Sequence, residues 1–142
     1  MGSRRKAREC ALQLLYRLDI GGGQPDDIPE FYWNESDADS DAQSYAQELY
    51  RGILTLRDEL DAKIASSSAH WKMSRMAAVD KNILRIATYE LRERDDIPIR
   101  VVLNEAVEIA KRYGSAESGA FVNGILDALA RALRPGEAIK EE

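Results

Sequence analysis

The chain has 142 residues, 20 Lys+Arg against 25 Asp+Glu, a formal net charge of -5 and 44% hydrophobic residues. This length suits one domain, and the balance of charged and apolar residues excludes a disordered polymer. A single cysteine, Cys10, and a single histidine, His70, exclude an intrachain disulfide and a Cys/His zinc site. No apolar run approaches the roughly 18–20 residues of a membrane span, and no signal-type hydrophobic region follows Met1–Lys6. The expected location is cytoplasmic.

Helical periodicity runs through the chain, and no stretch of five residues shows the strict alternation of a half-buried strand. Ala7, Ala11, Leu14, Leu15 and Leu18 form the apolar stripe of a first helix that Gly21–Gly23 end. Pro25–Asp41 reads as a long polar connection, with one short helical turn burying Phe31, Tyr32 and Trp33. Tyr45, Leu49, Gly52, Ile53, Leu56, Leu60 and Ile64 make a long amphipathic helix interrupted at Ser66–Ser68, and Trp71 and Met73 belong to a shorter helix or turn. Met76, Val79, Ile83, Ile86, Ala87 and Leu91 form the next stripe. Pro98 opens a helix with the core face Val102, Ala106, Ile109 and Tyr113. Gly114 is the expected C-cap and Ser115 the expected N-cap of a last helix lined by Val122, Ile125, Leu126, Leu129 and Leu133. The fold class is all-α with six to seven helices.

Charge is distributed unevenly along these elements. Residues 1–20 hold five bases and two acids, residues 21–50 eight acids and no base, and residues 51–142 fifteen of each. A net acidic chain repels phosphate on average, yet its first helix carries +3. Arg4, Arg5, Lys6 and Arg8 place four cations within five positions at that helix start, the electrostatic footprint of a phosphate-tracking patch or of a solvated basic terminus. Tyr16 follows two turns beyond Arg8 as an aromatic platform. The acidic segment 26–41 reads as a solvated linker.

Searches for catalytic chemistry return little. His70 has no second ligand, Cys10 reads as a small buried hydrophobe, and Gly21–Gly23 lack the context of a phosphate loop. Glu105 and Glu108 are helical neighbours, and Lys111 and Arg112, three and four residues beyond Glu108, make surface ion pairs the simpler account. Gly114–Phe121 offers small residues at a helix start, suited to an anion, with Phe121 either stacking on a base or filling the core. Asn104 and Asn123 interrupt apolar runs, as interhelical hydrogen bonds or as contacts on an exposed face. Asn123 and Gly124 are read as mainly architectural, Gly124 admitting a neighbouring helix.

Arg4-Arg5-Lys6-Ala7-Arg8-Glu9-Cys10-Ala11-Leu12-Gln13, the run Asp80–Leu91, Ile97-Pro98, the run Asn104–Lys111 and Phe121-Val122-Asn123-Gly124-Ile125-Leu126-Asp127 resemble the signature blocks of the NusB transcription antitermination family. The resemblance implies two packed three-helix bundles in one domain over 1–134, with halves near 1–70 and 71–134, and a flexible tail at 135–142. It implies a non-enzymatic RNA-binding factor with no cofactor. Its partners would be the single-stranded boxA element of nascent ribosomal RNA leaders, the ribosomal protein NusE and the RNA polymerase antitermination complex. An accessory domain of an rRNA cytosine methyltransferase is the alternative that such modules also suggest. Carried over by position, the RNA surface falls on Arg4, Arg5, Lys6, Arg8, Tyr16, Glu117, Ser118 and Phe121, and the NusE contact on Asp80. Gly119 and Ala120 depart from the polar or basic residues common in relatives, which implies fewer phosphate contacts. Exposed apolar residues on the first helix, such as Leu12, would favour a homodimer.

Overall fold

The computed structural model describes residues 2–21 and 28–137. Gly22, Gly23, the start of the expected linker and residues 138–142 of the expected tail lie outside the described residues. In chain order the elements are α1 (Gly2–Gly21), α2 (Glu30–Glu35), α3 (Ser40–Ser67), a single 3-10 turn (Met73–Arg75), α4 (Ala78–Glu93), α5 (Ile99–Tyr113) and α6 (Ser118–Leu133). No strand occurs among the described residues.

Local chemistry sets several of these boundaries. Asp39 caps α3 by accepting the Ala42 N–H at 2.8 Å and also accepts the Ser3 hydroxyl at 2.9 Å, which ties the start of α3 to the start of α1. At the other end the Ser68 hydroxyl donates to Ile64 O at 2.9 Å and closes the last turn. Pro98 precedes Ile99 in extended conformation, as a residue without an N–H can at a helix start. On α3, a Cβ at Gly52 would lie 2.5 Å from the Tyr89 ring, so α3 and α4 approach as closely as they do because residue 52 has no side chain.

Helix α4 is the hub, in contact with α1, α3, α5 and α6. Ile83 through Leu91 are all buried, so α4 has no solvent face over its middle turns. Two of its polar side chains, Asn82 and Arg85, find partners on neighbouring helices. Asn82 donates to Asp19 of α1 at 2.9 Å, and Arg85 makes a two-pronged pair with Asp61 of α3 at 2.8 and 2.9 Å while reaching Asp19 at 3.2 Å. Arg57 adds a third donor to Asp19 at 2.6 Å. Burial alone would raise the Asp19 carboxyl pKa, but the hydrogen bonds from Asn82 and Arg57 outweigh it and hold the group below the usual carboxylate range.

The C-terminal end of α4 is closed from a distance. Arg134, just past α6, donates to the carbonyls of Glu90, Leu91, Arg94 and Ile97 at 2.6–3.0 Å and to Glu137 at 3.0 Å. Glu137 in turn accepts the Ile99 N–H at 2.9 Å, the first of α5. One guanidinium thus caps α4, fixes the α4–α5 turn and orders residues 135–137, the described beginning of the expected tail.

Several expectations change on packing. Leu12 is buried at 3% exposure rather than offered to a second copy; Tyr16 and Ile20 are the large apolar residues that α1 exposes among the described residues. Phe31 is 62% exposed, because α2 is too short to turn all three of its aromatics inward. Asn104, Asn123 and Gly124 are exposed, and a Cβ at Gly124 would meet nothing within 4 Å, so no helix approaches there.

Candidate nucleic-acid interface

The four cations at the start of α1 separate into different environments. Arg8 is buried at 3% exposure: its Nε donates to both Glu90 oxygens at 2.9 and 3.2 Å, and Nη1 lies 3.5 Å from Glu105. Glu90, fully buried, also accepts the Tyr45 hydroxyl. Arg8 is therefore an internal charge joining α1, α4 and α5, a correction to its expected place on the contact surface. Its partner lies 82 residues away in sequence, and a helical wheel of α1 alone carries no trace of it.

Arg5 pairs with Glu105 through two N–H groups at 2.8 and 2.9 Å yet keeps nearly half of its side chain in solvent. That hydrogen bond raises the Arg5 pKa and lowers that of Glu105, so both stay charged. Arg4 turns the other way, its guanidinium 4.4 Å above the Tyr45 ring, which Arg94 also approaches at 5.0 Å. Lys6 is half-buried and has no carboxylate within ion-pair distance among the described residues.

Beyond this cluster the outward side of α1 carries Lys6, Gln13, Tyr16, Arg17 and Ile20, spaced at gaps of seven, three, one and three. Tyr16 is 41% exposed. At about 1.5 Å per residue, Arg5 and Tyr16 stand roughly 16 Å apart along the helix, the reach of several nucleotides. Arg112 of α5 flanks this side and is held by Glu9 of α1 at 2.6 Å.

A second feature sits at the N-terminal ends of α4 and α6. An open groove of about 510 Å³ is lined by Trp71, Arg75, Asp80, Glu117, Ser118 and Phe121, among others. Trp71 and Phe121 meet edge to face with centroids 5.5 Å apart. Gly114 ends α5, and a Cβ there would collide with the Ser118 side chain and approach Ala110 O at 2.9 Å, so the tight turn needs glycine. Ser118 is buried, its hydroxyl accepting the Ser115 N–H at 2.9 Å. The helix starts at Ser118 with Glu117 in the cap position, not at the expected Ser115, and residues 115–118 form a turn closed by the Ser118 N–H donating to Ser115 O at 3.1 Å.

The groove brings Asp80, Glu117, Ser118 and Phe121 together; the basic start of α1 is a separate site on another part of the surface. Trp71 and Arg75 complete the groove wall; the sequence places Trp71 in a shorter helix or turn and does not single out Arg75. The available signal was a tryptophan four residues before an arginine in an otherwise polar stretch.

An all-helical scaffold that displays cations and exposed aromatics has the layout of a single-stranded nucleic-acid-binding module. The chain belongs to the NusB family, whose model matches residues 5–131. It is 47% identical over 134 residues to the transcription antitermination protein NusB of Geobacter sulfurreducens, spanning 94% of this chain and 97% of that one. Its structure matches T. maritima NusB with a TM-score of 0.78 at 40% identity, covering 90% of each chain. It also matches a chain in a crystal structure of antitermination factors NusB and NusE in complex with double-stranded RNA, with a TM-score of 0.80 at 29% identity over 93% of this chain and 98% of that one.

Proposed function

We propose that this protein is a transcription antitermination factor that binds the boxA element of nascent ribosomal RNA leaders together with NusE. It acts by binding, with no catalytic step. The observation that carries this reading is the separation of charges: Arg8 is consumed by the fold, whereas Arg5, Lys6 and Tyr16 remain on the accessible side of α1. Cations there neutralise phosphates and release counterions, and Tyr16 stacks on an unpaired base. Phe121 supplies a second stacking surface roughly at the far end of the path. Asp80 and Glu117 give the same region an acidic component suited to a basic ribosomal protein, so NusE closes over the end of the RNA path at Asp80.

The test is an anisotropy titration of a labelled single-stranded boxA RNA with the protein, with and without NusE, at two salt concentrations. NusE should tighten binding, and affinity should fall as salt rises with a slope of about -0.7 per neutralised phosphate. A titration indifferent to NusE, or one without salt dependence, would sink the proposal.

A further inference from the structure

We propose that Lys111 and Arg112, at the C-terminal end of α5, form a phosphate clamp that carries the RNA strand between the basic start of α1 and the start of α6. The inference rests on the RNA-binding reading and extends it to α5. An open cleft of about 290 Å³ is lined by Arg5, Glu9, Glu108, Lys111 and Arg112, among others. On the α1 side, the Arg112 guanidinium donates to Glu9 at 2.6 Å. On the α6 side, the Lys111 stem lies over Gly119, where a Cβ would be 3.5 Å from Lys111 Cγ and 3.9 Å from its Cε. Lys111 therefore shares a cleft with Arg5 and rests on α6 two residues before Phe121, which puts its ammonium between the two proposed RNA surfaces.

The two ends of the Lys111 side chain have different surroundings. Gly119 is buried beneath Val107 and the lysine stem, whereas the side chain as a whole is 65% exposed, so the methylenes are packed and the ammonium reaches water. Packing the stem reduces the rotamer entropy lost when the head meets an anion. Glu108 stands 3.7 Å from that ammonium and is itself exposed, an ion pair of little net worth that a phosphate can displace. Arg112 is fixed through one N–H by the buried Glu9 and keeps the rest of its fork in solvent at the cleft mouth. Cations in the last turn also complement the α5 dipole, but that role needs only charge near the helix end, not a lysine laid across α6. Tyr113, the next residue, is exposed, so an aromatic ring follows these two cations as Tyr16 precedes Arg17 on α1. Cations interleaved with rings suit a single strand, whose phosphates and bases both need partners.

Anisotropy titrations of single-stranded boxA RNA, with NusE present, test the clamp. Lys111→Gln should weaken binding by about 5-fold at about 0.1 M salt and reduce the salt slope by about 0.7, the counterion release of one phosphate on a single strand. Adding Arg112→Gln should take about another 0.7 from the slope. A scrambled single strand should lose the same factors, because phosphate contacts carry no base information. Glu108→Gln removes the competing carboxylate and should tighten binding by about 2- to 5-fold, a gain that a misfolded variant cannot produce. Unchanged affinity and slope in both Lys111→Gln and Glu108→Gln overturns the clamp and leaves the RNA-binding reading standing. A lower melting temperature of Lys111→Gln with no change in the RNA titration assigns the lysine to the α5 dipole and overturns the clamp as well. So does a Lys111→Gln loss matched by weaker binding of NusE alone, which gives the cleft to the protein partner. RNA that fails to bind the parent even at low salt overturns both readings.

Discussion

Replacing Glu90 by alanine should lower the unfolding free energy by about 3–5 kcal/mol, the cost of leaving a buried charge without its partner. In a thermal melt this is a drop on the order of 10 °C for a chain of this size. Glu90 serves two groups at once, the Arg8 Nε through both oxygens and the Tyr45 hydroxyl, so its removal strands a guanidinium and a phenol in the core. The pair is not irreplaceable. An Arg8→Met and Glu90→Leu double variant fills similar volume without charge and should recover most of the loss, keeping a residual cost of about 1–3 kcal/mol for the Tyr45 hydroxyl. A double variant as unstable as Glu90→Ala would show that packing around these residues, and not the ion pair, governs the site.

Arg134→Ala should cost about 3 kcal/mol, measured by urea denaturation. An arginine has five N–H donors, and Arg134 uses Nε once and each Nη twice, on four carbonyls and Glu137. Its positive charge also lies at the C-terminal end of α4, where the helix dipole favours a cation. Arg134→Lys should recover little, because three donors on a flexible stem cannot span carbonyls from Glu90 to Ile97. The effect should be nearly additive with a substitution at Asp19, whose partners Asn82 and Arg85 lie in the N-terminal half of α4 and share none with Arg134.

Both predictions concern residues whose meaning was hidden in the linear pattern. Apolar spacing at three and four places α1, α3, α4, α5 and α6 within a few residues of their ends, because each helix buries one stripe and the stripe is a local property. Even on α4, buried almost all round, Ile83, Ile86, Ala87 and Leu91 mark the stripe. Long-range pairing leaves no such periodic mark. Arg8 looks like one more cation in a basic run until α4 brings Glu90 to it, and Arg134 looks like the last charge before a tail until it closes the α4 carbonyls. Gly124 illustrates the reverse error: glycine in a helix suggests close packing, yet here it sits on open surface. The candidate interface was legible to the same extent. Tyr16 and Phe121 follow from aromatic placement beside cations and small residues, whereas the groove that Phe121 shares with Trp71 and Arg75 exists only once α4 and α6 start side by side.

The central claim is that the charges at the start of α1 divide into one that builds the fold and others that meet RNA. Comparing boxA RNA binding by a Lys6→Ala and Tyr16→Ala double variant with that by the Arg8→Met and Glu90→Leu variant, both with NusE present and both verified as folded, tests it directly. The Lys6/Tyr16 variant should lose about 10-fold or more in affinity, from one stacked base and one phosphate, with a salt slope smaller by about 0.7. The Arg8/Glu90 variant should bind RNA as the parent does. A loss confined to the Arg8/Glu90 variant, with Lys6 and Tyr16 dispensable, would contradict the account.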